Sequence, residues 1–257
     1  MIWRVVIWFL LSACLARANE NSDHLMAAGV KEFATAYKDW DGQRFGMAAE
    51  LFRQACTNAP ASCTNYYWLG AAEFHRMLQI RSLPAPTTNA VAADAAMDAA
   101  VAALQIALKL DERHAESQAL LGTLYGMKIN GNVLRGAWFG PRVAKHRKKA
   151  MEFGSQNPRV CYLLGTCQFH TATKPSAQRE ALATLLSAEK RFAAEAQLEA
   201  GPLEPRWGRS SCLTFIGRTY ELLGERTEAA AYFRKALAQH PEDHVAKEGL
   251  ARVAERK

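Results

Sequence analysis

The stretch SSCLTFIGRTYELLGERTEAAAYFRKALAQHPE, Ser210 to Glu242, decides the fold. Two apolar helical patterns flank a turn at Gly224. Ile216, Gly217 and Tyr220 fall on one face of the first pattern, and Ala229, Phe233 and Ala236 on one face of the second. Ala229 and Ala236 are small enough to let the first helix come close, and Phe233 fills the space between them. Gly217 costs about 1 kcal/mol of helix propensity, so its place in the pattern implies close packing. Pro241 stops the second helix or starts the next one.

This stretch resembles the tetratricopeptide repeat (TPR), a helix-turn-helix unit of about 34 residues. Similar spacing recurs upstream. Ala48, Phe52, Ala55 and Pro60 close a unit over 29–62. Leu69-Gly70 open and Ala100, Leu104 and Ala107 close a unit over 63–114. Leu121-Gly122 and Tyr125 open a third over 115–157, and Leu164-Gly165 a fourth over 158–209. The fifth covers 210–243, and 244–257 reads as a capping helix with a polar outer face. The expectation is an all-α helical-repeat solenoid, one continuous right-handed superhelix without strands.

The units over 63–114 and 158–209 each span 52 residues, with longer second helices after Pro84-Ala85-Pro86 and Lys174-Pro175. They also resemble each other. Tyr67-Trp68-Leu69-Gly70 with Phe74-His75 parallels Tyr162-Leu163-Leu164-Gly165 with Phe169-His170, the pattern of an internal duplication. Gly201 to Gly208, with two Pro and two Gly in eight residues, reads as a joint between the fourth and fifth units, with Trp207 packed into it.

The start of the chain has a different grammar. Arg4, an apolar run from Val5 to Leu11, and Ala16-Arg17-Ala18 read as a secretory signal over 1–18. Leu11-Ser12-Ala13-Cys14 also resembles the lipobox of bacterial lipoproteins, in which Cys14 is lipidated. Both readings place the protein outside the cytoplasm, secreted, periplasmic or held at a bacterial outer membrane. Beyond the leader no segment reads as long and apolar enough to cross a membrane.

The chain has 257 residues, 49% of them hydrophobic, which excludes a disordered chain. Its net charge is +7, and +5 without Arg4 and Arg17 of the leader. Arg142, Lys145, Arg147, Lys148 and Lys149 cluster around His146. This segment is a solvated helix face or a contact for phosphate, nucleic acid or anionic lipid. Export argues against nucleic acid as the partner. Cys56 and Cys63 flank a turn and are the best candidates for a disulfide in an oxidising compartment. Cys161, Cys167 and Cys212 read as small core residues. Glu116, with Asp111 and Glu112, reads as ordinary helix-end charge.

No Gly-rich phosphate loop, nucleophile elbow, His-Glu-x-x-His or Cys-x-x-Cys occurs. The expectation is therefore a non-enzyme with no cofactor and no metal. The resemblance implies a concave groove for a protein or peptide, lined by the first helices of successive units. Carried over, the groove residues are Phe33 and Tyr37, then Tyr67, Phe74 and His75, then Thr123, then Arg159, Tyr162, Phe169 and His170, and finally Arg218. Relatives that clamp a chaperone's C-terminal carboxylate use Lys and Asn where Phe33 and Tyr37 stand, so that ligand is not implied. Gly140-Pro141, Asn157-Pro158-Arg159 and Pro205-Arg206-Trp207-Gly208 further resemble a group of secreted bacterial repeat proteins. The functional expectation is an extracytoplasmic adaptor. Its alternatives are a lipid-anchored envelope assembly factor and a metal binder or enzyme built on His75 and His170.

Overall fold

The structure, a computed structural model, describes the backbone of residues 2–84 and 87–255 and the side chains of residues 20–84 and 89–254. The described residues form eleven α-helices and no strand. In chain order they are α1 (Ile2–Asp39), α2 (Gly42–Asn58), α3 (Cys63–Ser82), α4 (Thr87–Leu110), α5 (Ala115–Ile129) and α6 (Val133–Gly154). α7 (Pro158–Thr171), α8 (Pro175–Glu195), α9 (Arg209–Leu222), α10 (Arg226–Gln239) and α11 (His244–Glu255) follow. The fold is all-α, a tandem array of TPR-type helical hairpins. The contacts group into two compact units, Met1–Tyr37 with Asp41–Glu112, and Lys38–Trp40 with Arg113–Lys257.

Short polar residues start the helices where the sequence places turns. Asp41 accepts from the Gln43 and Arg44 amides, Ser62 from Asn65, Asn132 from Arg135, and Asn157 from Arg159 and Val160. The turn after α9 needs a positive φ, and Gly224 supplies it at 77°.

One packing rule recurs in all five hairpins. A glycine on the first helix faces a side chain of the second so closely that a Cβ would collide or press on it. A Cβ on Gly29 would meet the Phe52 ring at 2.5 Å, one on Gly70 would meet Leu104 at 2.6 Å, and one on Gly122 the His146 Cβ at 3.3 Å. On Gly165 it would meet Leu185 at 2.7 Å, and on Gly217 it would meet Phe233 at 2.8 Å. In the last hairpin Gly249 of α11 closes on the same Phe233 ring from another side. Phe233, Ala229 and Ala236 are fully buried, and Ala246, Leu250 and Val253 of α11 pack on this cluster. The C-terminal helix is thus the expected cap.

Three features depart from or extend the sequence expectation. The first hairpin starts before residue 29, because Ser22 and Met26 are buried and the Ser22 hydroxyl donates to the Ala55 carbonyl at 3.2 Å. The long second helices are α4, with 24 residues, and α8, with 21, as expected, and also α6, with 22, against 14 in α10. Contrary to expectation, one described helix is long and apolar enough to cross a membrane, Asn89–Leu110. In the fold this helix packs on α3, burying Ala93, Ala96, Met97, Ala100, Ala103, Leu104 and Ala107. Ala85 and Pro86, inside the long unit's insertion, lie outside the described residues. Cys14 and the other side chains of residues 1–19, where the secretory signal is expected, lie outside the described side chains.

The joint before α9 is built around Trp207, which is buried. Arg206 donates to the Glu195 carbonyl at 2.5 Å and to Glu204 at 3.1 Å. Gly208, at φ 103°, turns the chain into α9 beside the Phe192 and Tyr162 rings.

The close approaches set opposite expectations for two Gly→Ala changes. Gly126→Ala adds a methyl with nothing within 4 Å, so it raises stability by about 0.5–1 kcal/mol through helix propensity. Gly217→Ala drives its methyl into a Phe233 ring that Gly249 prevents from retreating, and lowers stability by about 1–3 kcal/mol. Urea unfolding of both variants checks the pair, and a Gly217→Ala protein as stable as its parent contradicts the packing.

Candidate functional site

In the first unit the expected groove residues are core. Phe33, Tyr67, Phe74 and His75 are 1–5% exposed, so the expectation that these four line an open groove is corrected. The reason is the aromatic content of α1 and α2. Phe33 packs edge-on against Phe45 at 5.5 Å and Trp68 at 5.2 Å, and Phe52 stacks on Trp68 at 5.5 Å. His75 sits among Phe33, Tyr37, Phe45 and Phe74, with ring centroids 5.2–5.7 Å away. Its Nδ1–H donates to the Ala71 carbonyl at 2.8 Å. Burial holds its pKa down at about 4, so the ring is neutral in the folded protein. Tyr37 is half-buried, its ring parallel to Phe33 at 6.2 Å.

In the second unit Arg159 is also core rather than groove wall. It is 3% exposed and bridges three helices. Its Nε donates to Glu116 of α5 at 2.7 Å, and its Nη atoms donate to the two Glu195 oxygens of α8 at 2.9 and 2.5 Å. Asn157 adds a 2.7 Å bond to Glu116. Glu116 is therefore a buried network member and not free helix-end charge. Sequence reasoning missed this because the partners lie 43 and 36 residues apart.

The remaining expected residues of the second unit do come together. Tyr162 and Phe169 of α7 are nevertheless buried, at 8% and 9% exposure, which corrects the expectation that they line an open groove; His170 of α7 and Arg218 of α9 lie outside them. Phe215, absent from the sequence expectation, completes the cluster. Its ring meets Phe169 at 5.3 Å, His170 at 5.6 Å and Tyr162 at 6.2 Å. The Arg218 guanidinium lies 4.7 Å over the Phe169 ring and 5.1 Å over Phe215. Phe215 stands three residues before Arg218, the spacing that places two side chains on one helix face. That spacing was the available signal. His170 is exposed and Arg218 is half-buried. Among the described residues no carboxylate forms an ion pair with Arg218. Burial and the Arg252 charge push its pKa down, yet a guanidinium stays protonated at any ordinary pH. Burial, then the Arg218 charge, lowers the His170 pKa. Together these groups form a cationic, aromatic patch that suits a carboxylate next to an apolar group.

Thr123 is elsewhere, with Ala119, Val143, Met151, Leu164 and Cys167 around a small apolar pocket in the second unit. Its hydroxyl donates to the Ala119 carbonyl at 2.9 Å. Arg142, Lys145, Arg147 and Lys148 are exposed and Lys149 is half-buried. His146 turns inward, its Nδ1–H donating to Gln118 at 2.6 Å.

Cys56 and Cys63 carry free thiols and are not bridged in the structure, which corrects the expected disulfide. Burial pushes them up to about 12 and about 11. Cys161 and Cys212 are core as expected, whereas Cys167 is half-buried. His75 and His170 occupy equivalent places in sequence, yet one is interior and the other exposed. Among the described residues no group of three His, Cys, Asp or Glu is placed to hold a metal ion.

The comparisons with known proteins agree with this fold. The model of the RMD1-3 family, "Regulator of microtubule dynamics protein 1-3", matches residues 41–255, and the chain belongs to that family. The structure is similar to that of TTC0263, a thermophilic TPR protein of Thermus thermophilus, with a TM-score of 0.63 at 17% identity over 91% of this chain and 98% of that one. It is also similar to the APC/C hetero-tetramer Cut9–Hcn1, with a TM-score of 0.62 at 15% identity over 95% of this chain and 39% of that one. No curated protein sequence matches the chain.

The two buried polar groups carry separable expectations. Arg159→Ala leaves Glu116 and Glu195 without their buried counter-charge and costs about 3–5 kcal/mol, read by urea unfolding. An unchanged midpoint contradicts the network. For His75 the folded pKa lies below the ordinary 6.5, so the unfolded chain takes up a proton first as pH falls. Stability is then full above pH 6.5 and declines between about 6.5 and about 4, by up to ~3 kcal/mol. His75→Gln removes that part of the pH dependence, and equal slopes in the two proteins show that His75 is not held neutral.

Proposed function

We propose that this member of the RMD1-3 family is a non-catalytic protein-interaction scaffold that takes an extended, carboxylate-bearing segment on the α7–α9 face. The observation that carries the reading is Arg218. It is a half-buried guanidinium laid over Phe169 and Phe215, with no carboxylate in an ion pair with it among the described residues. Such a group is oriented before a ligand arrives, so little side-chain freedom is lost on binding. The half-buried Phe215 ring offers contact area with few rotors, backed by the buried rings of Tyr162 and Phe169. The tandem hairpin fold supports the same reading, since helical-repeat folds build extended binding surfaces from successive helices.

The family description names microtubule dynamics as what its namesakes regulate. The leader of this chain, with Ala16-Arg17-Ala18 after an apolar run, supports an extracytoplasmic protein and a partner in that compartment. Leu11-Ser12-Ala13-Cys14 supports a second form of the same reading, a scaffold anchored through a lipidated Cys14. The mass of the mature N-terminus separates the two.

Peptides selected from a random display library on the wild-type protein test the ligand class. The expectation is enrichment of acidic residues next to apolar ones. Arg218→Gln weakens the selected peptides by about 10- to 100-fold, the worth of a hydrogen-bonded charge, while the circular dichroism spectrum stays that of the parent. Selected peptides that bind Arg218→Gln and Phe215→Ala as tightly as the wild type overturn the proposal.

A further inference from the structure

The first half of α6 exposes apolar side chains in a way the rest of the described chain does not. Val133 is 85% exposed, Leu134 82% and Trp138 66%. They stand at the tip of the helix, just after the Asn130-Gly131 turn, both residues of which have positive φ. The inner face of the helix is already filled. Phe139 stacks on Tyr125 at 5.7 Å, His146 bonds Gln118, and Ala150 is buried. The outer face is therefore left over from folding.

That outer face continues directly into charge. Leu134, Trp138, Arg142, Lys145 and Lys148 are spaced by four, four, three and three, which puts them on one stripe. Arg135 flanks it. No acidic residue occurs between Val133 and Met151. Arg142 lies 4.8 Å over the Trp138 ring, tying the apolar tip to the basic stretch. Pro141 sits within the helix, at the junction of the two parts, and has no N–H to give the Ala137 carbonyl.

We propose that the outer face of α6 docks the protein on an anionic phospholipid bilayer, with Val133, Leu134 and Trp138 in the headgroup–acyl boundary and Arg142, Lys145 and Lys148 on the phosphates. The charge complementarity is one-sided and unbroken along the face. A Trp with aliphatic neighbours at one end and lysines behind it is the composition of an interfacial helix. A nucleic acid would use the cations and leave Val133 and Leu134 in water. An acidic protein would need fixed carboxylates opposite long, mobile Lys side chains, whereas lipid phosphates move to meet them. The surface is separate from the α7–α9 patch, so a partner held there could be held at a membrane.

The test uses the full chain and vesicles with brominated acyl chains, either phosphatidylcholine alone or phosphatidylcholine with phosphatidylglycerol. The readout is the part of the Trp emission that Trp138→Phe removes, which isolates Trp138 from the other tryptophans and from any leader insertion. On the anionic vesicles this part is quenched, and added salt reverses it. On the neutral vesicles it is not quenched. The exposed double variant Lys145→Glu with Lys148→Glu weakens the anionic interaction by about 25-fold or more, from roughly fivefold per basic residue at an anionic surface. Leu134→Ser also weakens it, with the far-ultraviolet spectrum unchanged. No quenching of Trp138, or equal quenching on both vesicles, overturns the proposal. So does binding of DNA or polyglutamate by the basic stripe while Trp138 stays unquenched, which assigns the face to a soluble polyanion.

Discussion

Five glycines in register against five side chains hold this architecture together. Gly29, Gly70, Gly122, Gly165 and Gly217 each stand where the second helix of their hairpin presents Phe52, Leu104, His146, Leu185 or Phe233. A helix pays for an interior glycine in backbone entropy. The return is an approach of two backbones that a Cβ would forbid or force apart, and a ring or branched chain lodged in the vacated space. Because one such lock closes each hairpin, the others follow as repeats of the same geometry with different fillings. The 24-residue α4 and the 14-residue α10 close on their partner helices by the same device.

The polar interior is arranged on a different principle. Arg159 joins α5, α7 and α8 through Glu116 and Glu195, and every charge in the group has a counter-charge within hydrogen-bond distance. A buried pair of this kind adds little net stability over apolar packing, yet it penalises any arrangement that separates its members. His75 achieves burial by the opposite route. It gives up its charge, donates one proton to Ala71, and stacks its faces and edges among four rings. Both side chains look, in a one-dimensional reading, like wall residues of a groove. Both are fully committed to the fold.

What remains for partners is therefore narrow. On the α7–α9 face a guanidinium lies across two phenyl rings, with no carboxylate in an ion pair among the described residues. On α6 an apolar tip runs into an unbroken basic stripe. The two surfaces differ in chemistry: one is preorganised and suited to a single carboxylate, the other is extended and suited to a field of phosphates.

The spacing of Ala229, Phe233 and Ala236 against Gly217, and its recurrence upstream, determined the fold class, the five hairpins and the cap. Helix periodicity fixes which side chains point at the partner helix, and a sequence displays that periodicity directly. It also displayed Tyr162, Phe169, His170 and Arg218 as members of one face. Only the tertiary structure decided that Phe33, Tyr67, Phe74, His75, Arg159, Tyr162 and Phe169 are interior, that Phe215 joins the patch, and that Cys56 and Cys63 stay apart as thiols. A helix of a repeat has one face for its own hairpin and others for its neighbours or for solvent. Which of those others is open depends on how large the neighbouring side chains are. The rings Phe45, Phe52 and Trp68 filled the space around α3, and residues dozens of positions away, such as Glu195 for Arg159, supplied the charges that drew a surface-type residue inside. Long-range proximity of this kind has no periodic signature in the chain.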